Sequence, residues 1–534
     1  MPRAHLDGTL YPAIVPYSRP SPEHHAHRSL RSTLACVIAG PLAGIITWWL
    51  LQDAVASQAI SQVAARVAGV AVLMGIWWIT EAVTIEVTGL VPLVAFPMLE
   101  TSSFAAAANP YASAIIFLFL GGMLLGKALE VWHLHTRFAL GVLTLFGSKP
   151  SSLVMGFLAA SAFVSMWVSN TAATVMMLPI GVSVVGMLAA ARASHATPAD
   201  ADSAPQPPST SPSVPSPHQD PFAIAIVLAI AFGASIGGVG TIIGTPPVSL
   251  YASFVERTTG TPVTFTQWLI IGVPTLLAIV PLCGVVLTRI AFRVSRERVP
   301  VLGRIVSERL AQLGPMNTPQ RLLLVIFALA ALGWITSTWT KVPDAVIAIA
   351  AAIALFVVPA FAPSGNPRAL LTWREAERIP WGVLLLFGGG LSLAEAIDVS
   401  GLDDALANLG LGLDGIPLFL ILLIIALVTI ILTEFSNNTA LVAAALPIGQ
   451  SLAPALGVPP AVLLVTITLT ASLGFAMPGG TAPNALAYSS GMVPMRSMVR
   501  AGLILDALVA IVVPVLVYAA YAMDILPGMH TPNP

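Results

Sequence analysis

Apolar runs close to the ~20 residues needed to cross ~30 Å of hydrocarbon recur along the whole chain. They predict spans near 33–51, 64–81, 84–98, 113–131, 221–243, 266–290, 319–337, 343–361, 382–398, 460–478 and 501–522. Two further apolar stretches, 150–191 and 415–453, are each interrupted by a polar triplet. The first holds Ser169-Asn170-Thr171 and the second Asn437-Asn438-Thr439. Parity alone leaves open whether each interrupted stretch crosses twice or folds back as a re-entrant hairpin. The segment 194–220 is rich in Pro and Ser and reads as a disordered linker.

Composition turns this pattern into a class. The 534 residues are 57% hydrophobic and 9% charged, with a mean hydropathy of +0.89. Soluble domains carry about 25% charged residues, so an ordinary globular protein is excluded and an all-α polytopic membrane protein is expected. The polar stretch 1–32 lacks an apolar signal core and reads as a retained tail, and its His5, His24, His25 and His27 as part of a weakly basic terminus. Cys36 and Cys283 both lie in apolar segments and imply no disulfide framework.

Charge sets the orientation. With the N-terminus inside, twenty Lys and Arg residues face the cytoplasm, and only Arg66, Arg257 and Lys341 face outward. That bias is the positive-inside pattern. Eleven spans then leave the tail 523–534 outside.

The triplets belong to an internal repeat. "SNTAATVMMLPIG" from Ser169 aligns with "NNTALVAAALPIG" from Asn437, an offset of 268 residues. "FLGGMLL" at Phe119 matches "LFGGGLS" at Leu386, offset by 267, and "GTPP" at Gly244 matches "GTAP" at Gly480, offset by 236. The shortfall of 32 residues is close to the length of the Pro/Ser linker, which the second half lacks. The repeats are 64–290 and 319–522, with 33–63 a first span and its linker and 291–318 a basic cytoplasmic connection. The first repeat starts outside and the second inside. An inverted repeat of this kind is the plan of many secondary transporters.

Ser, Asn and Thr suit a transport site at the membrane midplane. Their oxygens cap helix starts, donate or accept hydrogen bonds, and can ligate a cation. One triplet alone reads equally well as helix–helix glue. Two at equivalent positions, each followed by a Gly-Thr helix break, read as a site. Neither the triplets nor the breaks contain Arg, Lys or Asp, so a dianion would be balanced by helix N-termini and co-bound cations. Glu434 is the nearest carboxylate; it reads as a structural partner near a helix end, against the proton carrier that a cation/proton antiporter would need. Lys127 and Glu130 are spaced as an i,i+3 pair. Glu130 and His133 share the E-x-x-H spacing of carboxylate-bridged metal sites, but no second copy stands in the other half. No nucleophile or metal constellation supports an enzyme, and no nucleic-acid partner is expected.

These motifs resemble the divalent anion/sodium symporter family, which carries dicarboxylates, citrate or sulfate. The resemblance rests on "WWITEA" (77–82), "SMWVSNTA" (165–172), "GTPP" (244–247), "PWGVLLLFGGGL" (380–391), "TEFSNNTA" (433–440) and "GTAPNA" (480–485). It implies two re-entrant hairpins, a scaffold domain and a transport domain that slides as an elevator, and a homodimer in a bacterial inner membrane. It implies one Na⁺ site from Ser165, Ser169, Asn170 and the backbone at Gly244, and a second from Thr433, Ser436, Asn438 and the backbone at Gly480. Substrate carboxylates are expected at Ser169, Asn170 and Thr171 on one tip and Asn437, Asn438 and Thr439 on the other, with Thr245 and Thr481 closing the site. Three departures bear on substrate preference: Asn437 replaces the expected Ser, Val248 the usual Asn, and Ala482 a common Pro. Retention of Ser165 and Thr433 favours Na⁺-coupled symport of a C4-dicarboxylate over exchange. A sulfate or tricarboxylate symporter is the alternative.

Overall fold

Each predicted span contains a helix. The computed structural model describes residues 30–195, 220–297, 299, 307–361, 367–402, 405, 416–526 and 528. The N-terminal histidines and nearly all of the Pro/Ser segment lie outside them. The main helices are α1 (Leu30–Leu50), α2 (Gln62–Thr80), α3 (Val91–Met98), α4 (Ala114–Val131), α5 (Leu134–Thr144), α6 (Pro150–Ser165), α7 (Asn170–His195), α8 (Pro221–Gly238), α9 (Pro246–Thr259) and α10 (Phe265–Val285). After the basic connection come α11 (Thr318–Thr340), α12 (Asp344–Val357), α13 (Gly382–Ser400), α14 (Leu418–Phe435), α15 (Asn438–Ala455), α16 (Pro460–Ala471), α17 (Ala482–Ser489) and α18 (Met495–Ala522). Among the described residues ten helices are long and apolar enough to cross a membrane.

Several expected spans are shorter or broken, and proline explains much of this. The stretch 84–98 is two pieces, Ile85–Thr88 and α3, with Pro92 opening the second. The stretch 343–361 stops at Val357, because Pro359 disfavours helix at Val358, whose ψ is 120°. Pro359–Phe361 then pairs antiparallel with Pro367–Ala369, a small departure from an all-α chain. The stretches 221–243 and 460–478 end early, at Gly238 and Ala471, and the chain leaves the helix before each Gly-Thr break. The second pieces carry proline in the first turn, Pro246 opening α9 and Pro483 second in α17, where no N–H partner is needed.

The two interrupted stretches are helix–break–helix hairpins, α6/α7 and α14/α15. Each packs on the first piece of the broken helix in its own half: α6 and α7 on α8, α14 and α15 on α16. The second arm of each hairpin then packs on the second piece from the other half, α7 on α17 and α15 on α9. The repeats therefore interlock around α8 and α16. Every residue from Phe222 to Gly238 and from Ala461 to Ala471 is buried, as expected for helices apolar all round.

The α6–α8 crossing brings backbone against backbone. A Cβ on Gly237 would lie 2.1 Å from the Ala162 carbonyl oxygen, and one on Gly233 would lie 2.5 Å from that of Leu158. Small residues allow such approach where helices pack without a hydrophobic driving force. The α6/α7 hairpin is also fixed near its tip by Trp167, which stacks on Phe265 at 6.2 Å and meets Phe327 edge-on at 4.9 Å. Replacing Gly237 by Val should push α6 and α8 apart and destabilise the fold by about 1–3 kcal/mol. The expected outcome is a lowered melting temperature of the purified protein in detergent.

Candidate functional site

The four helix interruptions are built by local chemistry. Thr245 and Thr481 are extended, with φ of −143° and −138°, immediately before α9 and α17. The Thr481 hydroxyl accepts the Asn484 N–H at 3.2 Å. Asn437 caps α15, its Oδ1 accepting the N–H groups of Thr439 at 3.0 Å and Ala440 at 3.4 Å. At the other tip the Ser169 hydroxyl accepts the Ala172 N–H at 3.4 Å. Asn437 thus does for the second hairpin what Ser169 does for the first, with a carbonyl oxygen in place of a hydroxyl.

Behind each tip sits the same pair. The Ser165 hydroxyl donates to Asn170 Oδ1 at 2.8 Å, and the Thr433 hydroxyl donates to Asn438 Oδ1 at 2.7 Å. Both donors are fully buried. Thr433 also bonds the Ala471 carbonyl at 2.7 Å. The Gly-Thr breaks close on these pairs. A Cβ at Gly244 would lie 2.5 Å from the Gly238 carbonyl oxygen and 3.0 Å from that of Ser165. One at Gly480 would lie 3.1 Å from the Thr433 carbonyl oxygen. A Cβ at Gly238 would fall 2.2 Å from Asn170 Oδ1, so only glycine lets the amide sit there.

Two equivalent oxygen cradles result. The first gathers Ser165, Asn170, Gly238 and Gly244; the second gathers Thr433, Asn438, Gly474 and Gly480. Neutral hydroxyl, amide and carbonyl oxygens form the donor set that hard cations prefer, and unwound backbone at helix breaks is where such ions bind in transporters. Among the described residues no group of three or more His, Cys, Asp and Glu is placed to hold a metal ion. The Lys127–Glu130 pair forms as spaced, at 2.7 Å.

Not every expected residue joins a cradle. The Ser436 hydroxyl donates to the Leu432 carbonyl at 2.8 Å, back onto the last turn of α14. Ser169 and Thr171 are exposed at the first tip, whereas Thr439, Thr245 and Thr481 are buried. Val248 is a fully buried apolar residue; its counterpart Asn484 instead donates to the carbonyls of Gly474 and Met477 at 3.3 and 3.1 Å. Glu434 accepts the N–H groups of Ala476 at 3.0 Å and Met477 at 2.5 Å, the structural partnership expected of it. Sequence reasoning missed Gly238 and Gly474. They share the 236-residue offset of the Gly-Thr breaks, and that signal could have found them.

Comparison with known proteins bears on this arrangement. Residues 39–526 match the family described as the sodium:sulfate symporter transmembrane region. The chain is 34% identical over 493 residues to the sodium-dependent dicarboxylate transporter SdcS of Staphylococcus saprophyticus, covering 91% of each chain. It is 35% identical over 466 residues to the SdcS of Staphylococcus aureus, covering 86% of each. Among solved structures, the YdaH transporter of Alcanivorax borkumensis aligns with a TM-score of 0.51 at 13% identity, covering 82% of this chain and 91% of that one. That last likeness is one of fold.

Removing the second cap isolates its structural contribution. Asn437→Ala should cost about 0.5–2 kcal/mol of stability, and Asn437→Ser should recover most of it. Thermal unfolding of the two variants side by side reads the difference.

Proposed function

The chain belongs to the sodium:sulfate symporter family, and from that membership we propose that it couples uptake of a C4-dicarboxylate to Na⁺. The carrying observation is the duplicated pair, Ser165 with Asn170 and Thr433 with Asn438, each closed by a Gly-Thr break. Relatives named as sodium-dependent dicarboxylate transporters support the choice of anion.

Each cradle binds one Na⁺ through the side-chain oxygens of its pair and the backbone near Gly244 or Gly480. On binding, the Ser165 or Thr433 hydroxyl turns a lone pair toward the ion and gives up its bond to the amide oxygen. The donors are neutral, so each occupied cradle gains a full positive charge. Two such charges, with the N-termini of α7, α9, α15 and α17, offset a dianion whose carboxylates meet Ser169, Asn170 and Thr171 on one tip and Asn437, Asn438 and Thr439 on the other. Thr245 and Thr481 close the space between. Without the cations the dianion faces an uncompensated desolvation cost, which ties its binding to Na⁺.

The hairpins, both broken helices, α10 and α18 move as one body, an elevator against a scaffold of α1–α4 and α11–α13. Cross-packing of each hairpin on the other half's broken helix supports that division. The hairpins are re-entrant, the N-terminus is cytoplasmic, the membrane is a bacterial inner membrane, and the working unit is a homodimer.

Proteoliposomes loaded with purified protein test this directly. Labelled succinate should accumulate only under an inward Na⁺ gradient, and excess malate or fumarate should compete better than sulfate or citrate. Asn170→Ala and Asn438→Ala should each reduce uptake to background while leaving folded protein. Uptake that ignores Na⁺ but needs internal dicarboxylate would make the protein an exchanger and end the symport reading.

A further inference from the structure

The two cradles share a buried hydroxyl–amide pair but are held by different chemistry. In the first half the turn Gly238–Thr241 is fixed by neutral groups. The Thr241 hydroxyl donates to the Met166 carbonyl at 2.5 Å, and the Trp268 indole donates to the Val239 carbonyl at 2.9 Å. In the second half the equivalent turn, Gly474–Met477, is fixed by two buried carboxyl groups. Glu434 takes the N–H groups of Ala476 and Met477, and Asp506 Oδ1 takes that of Phe475 at 3.1 Å. Three successive N–H groups are therefore committed to acidic side chains. Asp506 and Glu434 are 5% and 7% exposed, and they tie neighbouring residues of the same turn. By the repeat offsets their counterparts are Ile270 and Met166, so the first cradle has no such pair.

We propose that Asp506 is a positioning residue for the second cation site. It acts through the turn Gly474–Met477, which Glu434 also ties, holding Gly474 and Gly480 against Thr433 and Asn438. The path is short. Glu434 Oε1 lies 3.0 Å from where a Cβ on Gly474 would stand, and Oε2 lies 3.5 Å from that of Gly480. Gly502, one turn before Asp506 on α18, presses on the same turn: its Cβ would fall 2.3 Å from Ala476 Cα. With its N–H groups tied, the turn cannot rotate its peptide planes, and the cradle's backbone oxygens keep their aim. A carboxamide at 506 keeps the same acceptor, since its oxygen takes the Phe475 N–H. The inference rests on the Na⁺-coupled reading given above.

The test measures the Na⁺ concentration for half-maximal succinate uptake, and separately the succinate KM at saturating Na⁺. Asp506→Leu should raise the Na⁺ requirement about tenfold, the scale of a lost hydrogen bond to a charged group, with little change in KM at saturating Na⁺. Asp506→Asn should stay close to wild type. Gly502→Ala, which displaces the turn without touching a charge, should shift the Na⁺ requirement in the same direction and guards against failure of the leucine variant to fold. Wild-type uptake indifferent to Na⁺ would overturn the functional reading and this inference with it. Na⁺-dependent wild-type uptake with an unchanged Na⁺ requirement in the folded variants, or an asparagine variant as impaired as leucine, would overturn this inference alone.

Discussion

A helix that stops inside hydrocarbon must find partners for its first N–H groups and last carbonyls, because no water is there to take them. Among the described residues this chain interrupts an apolar helical stretch four times, at 166–169, 239–245, 436–437 and 472–481. The residues that solve the problem are small and polar. Asn437, Thr481 and Ser169 cap the helices that follow; Gly238 and Gly244 let backbone and amide oxygens crowd together. The capping oxygens stand next in sequence to cradle residues, Ser169 to Asn170, Asn437 to Asn438 and Thr481 to Gly480, so the breaks and the cradles are built by the same short segments.

The repeat makes two such arrangements, and the packing makes them interdependent. Since α7 lies on α17 and α15 lies on α9, neither hairpin can shift without the broken helix of the opposite half. In the proposed reading, an anion between the tips and cations behind them would bear on one interlocked body. The central helices α8 and α16, buried along nearly their whole length, give that body a stiff core. Close glycine contacts at Gly233 and Gly237 remove the slack that larger side chains would leave.

Duplication has not kept the halves identical. Val248 stands where Asn484 stands in the second half, Met166 where Glu434 stands, and Ile270 where Asp506 stands. Burying two carboxyl groups costs free energy unless their oxygens are hydrogen-bonded, and the second half spends three backbone N–H groups on three of those four oxygens. The first half fixes its own turn with a threonine hydroxyl and a tryptophan indole.

Much of this was legible in the chain alone. Apolar runs long enough to cross a bilayer marked the helices, and the 268- and 236-residue offsets marked the triplets and Gly-Thr breaks as equivalent. Periodicity and repetition survive without tertiary information because each depends on neighbours in sequence. The early ends of α8 and α16 were not legible, since Val239–Ile243 is as apolar as any helix and stops being one only because the turn packs against Ser165 and Asn170. Nor were the roles of Asn437, Gly238 and Asp506. A cap, a glycine that admits an amide oxygen, and an acid that holds a turn 31 residues away are defined by what lies opposite them in space. The sequence alone determined which residues were candidates and that they came in two sets; only the tertiary structure decided which oxygens meet, because a cradle is a property of distances between helices that no single helix contains.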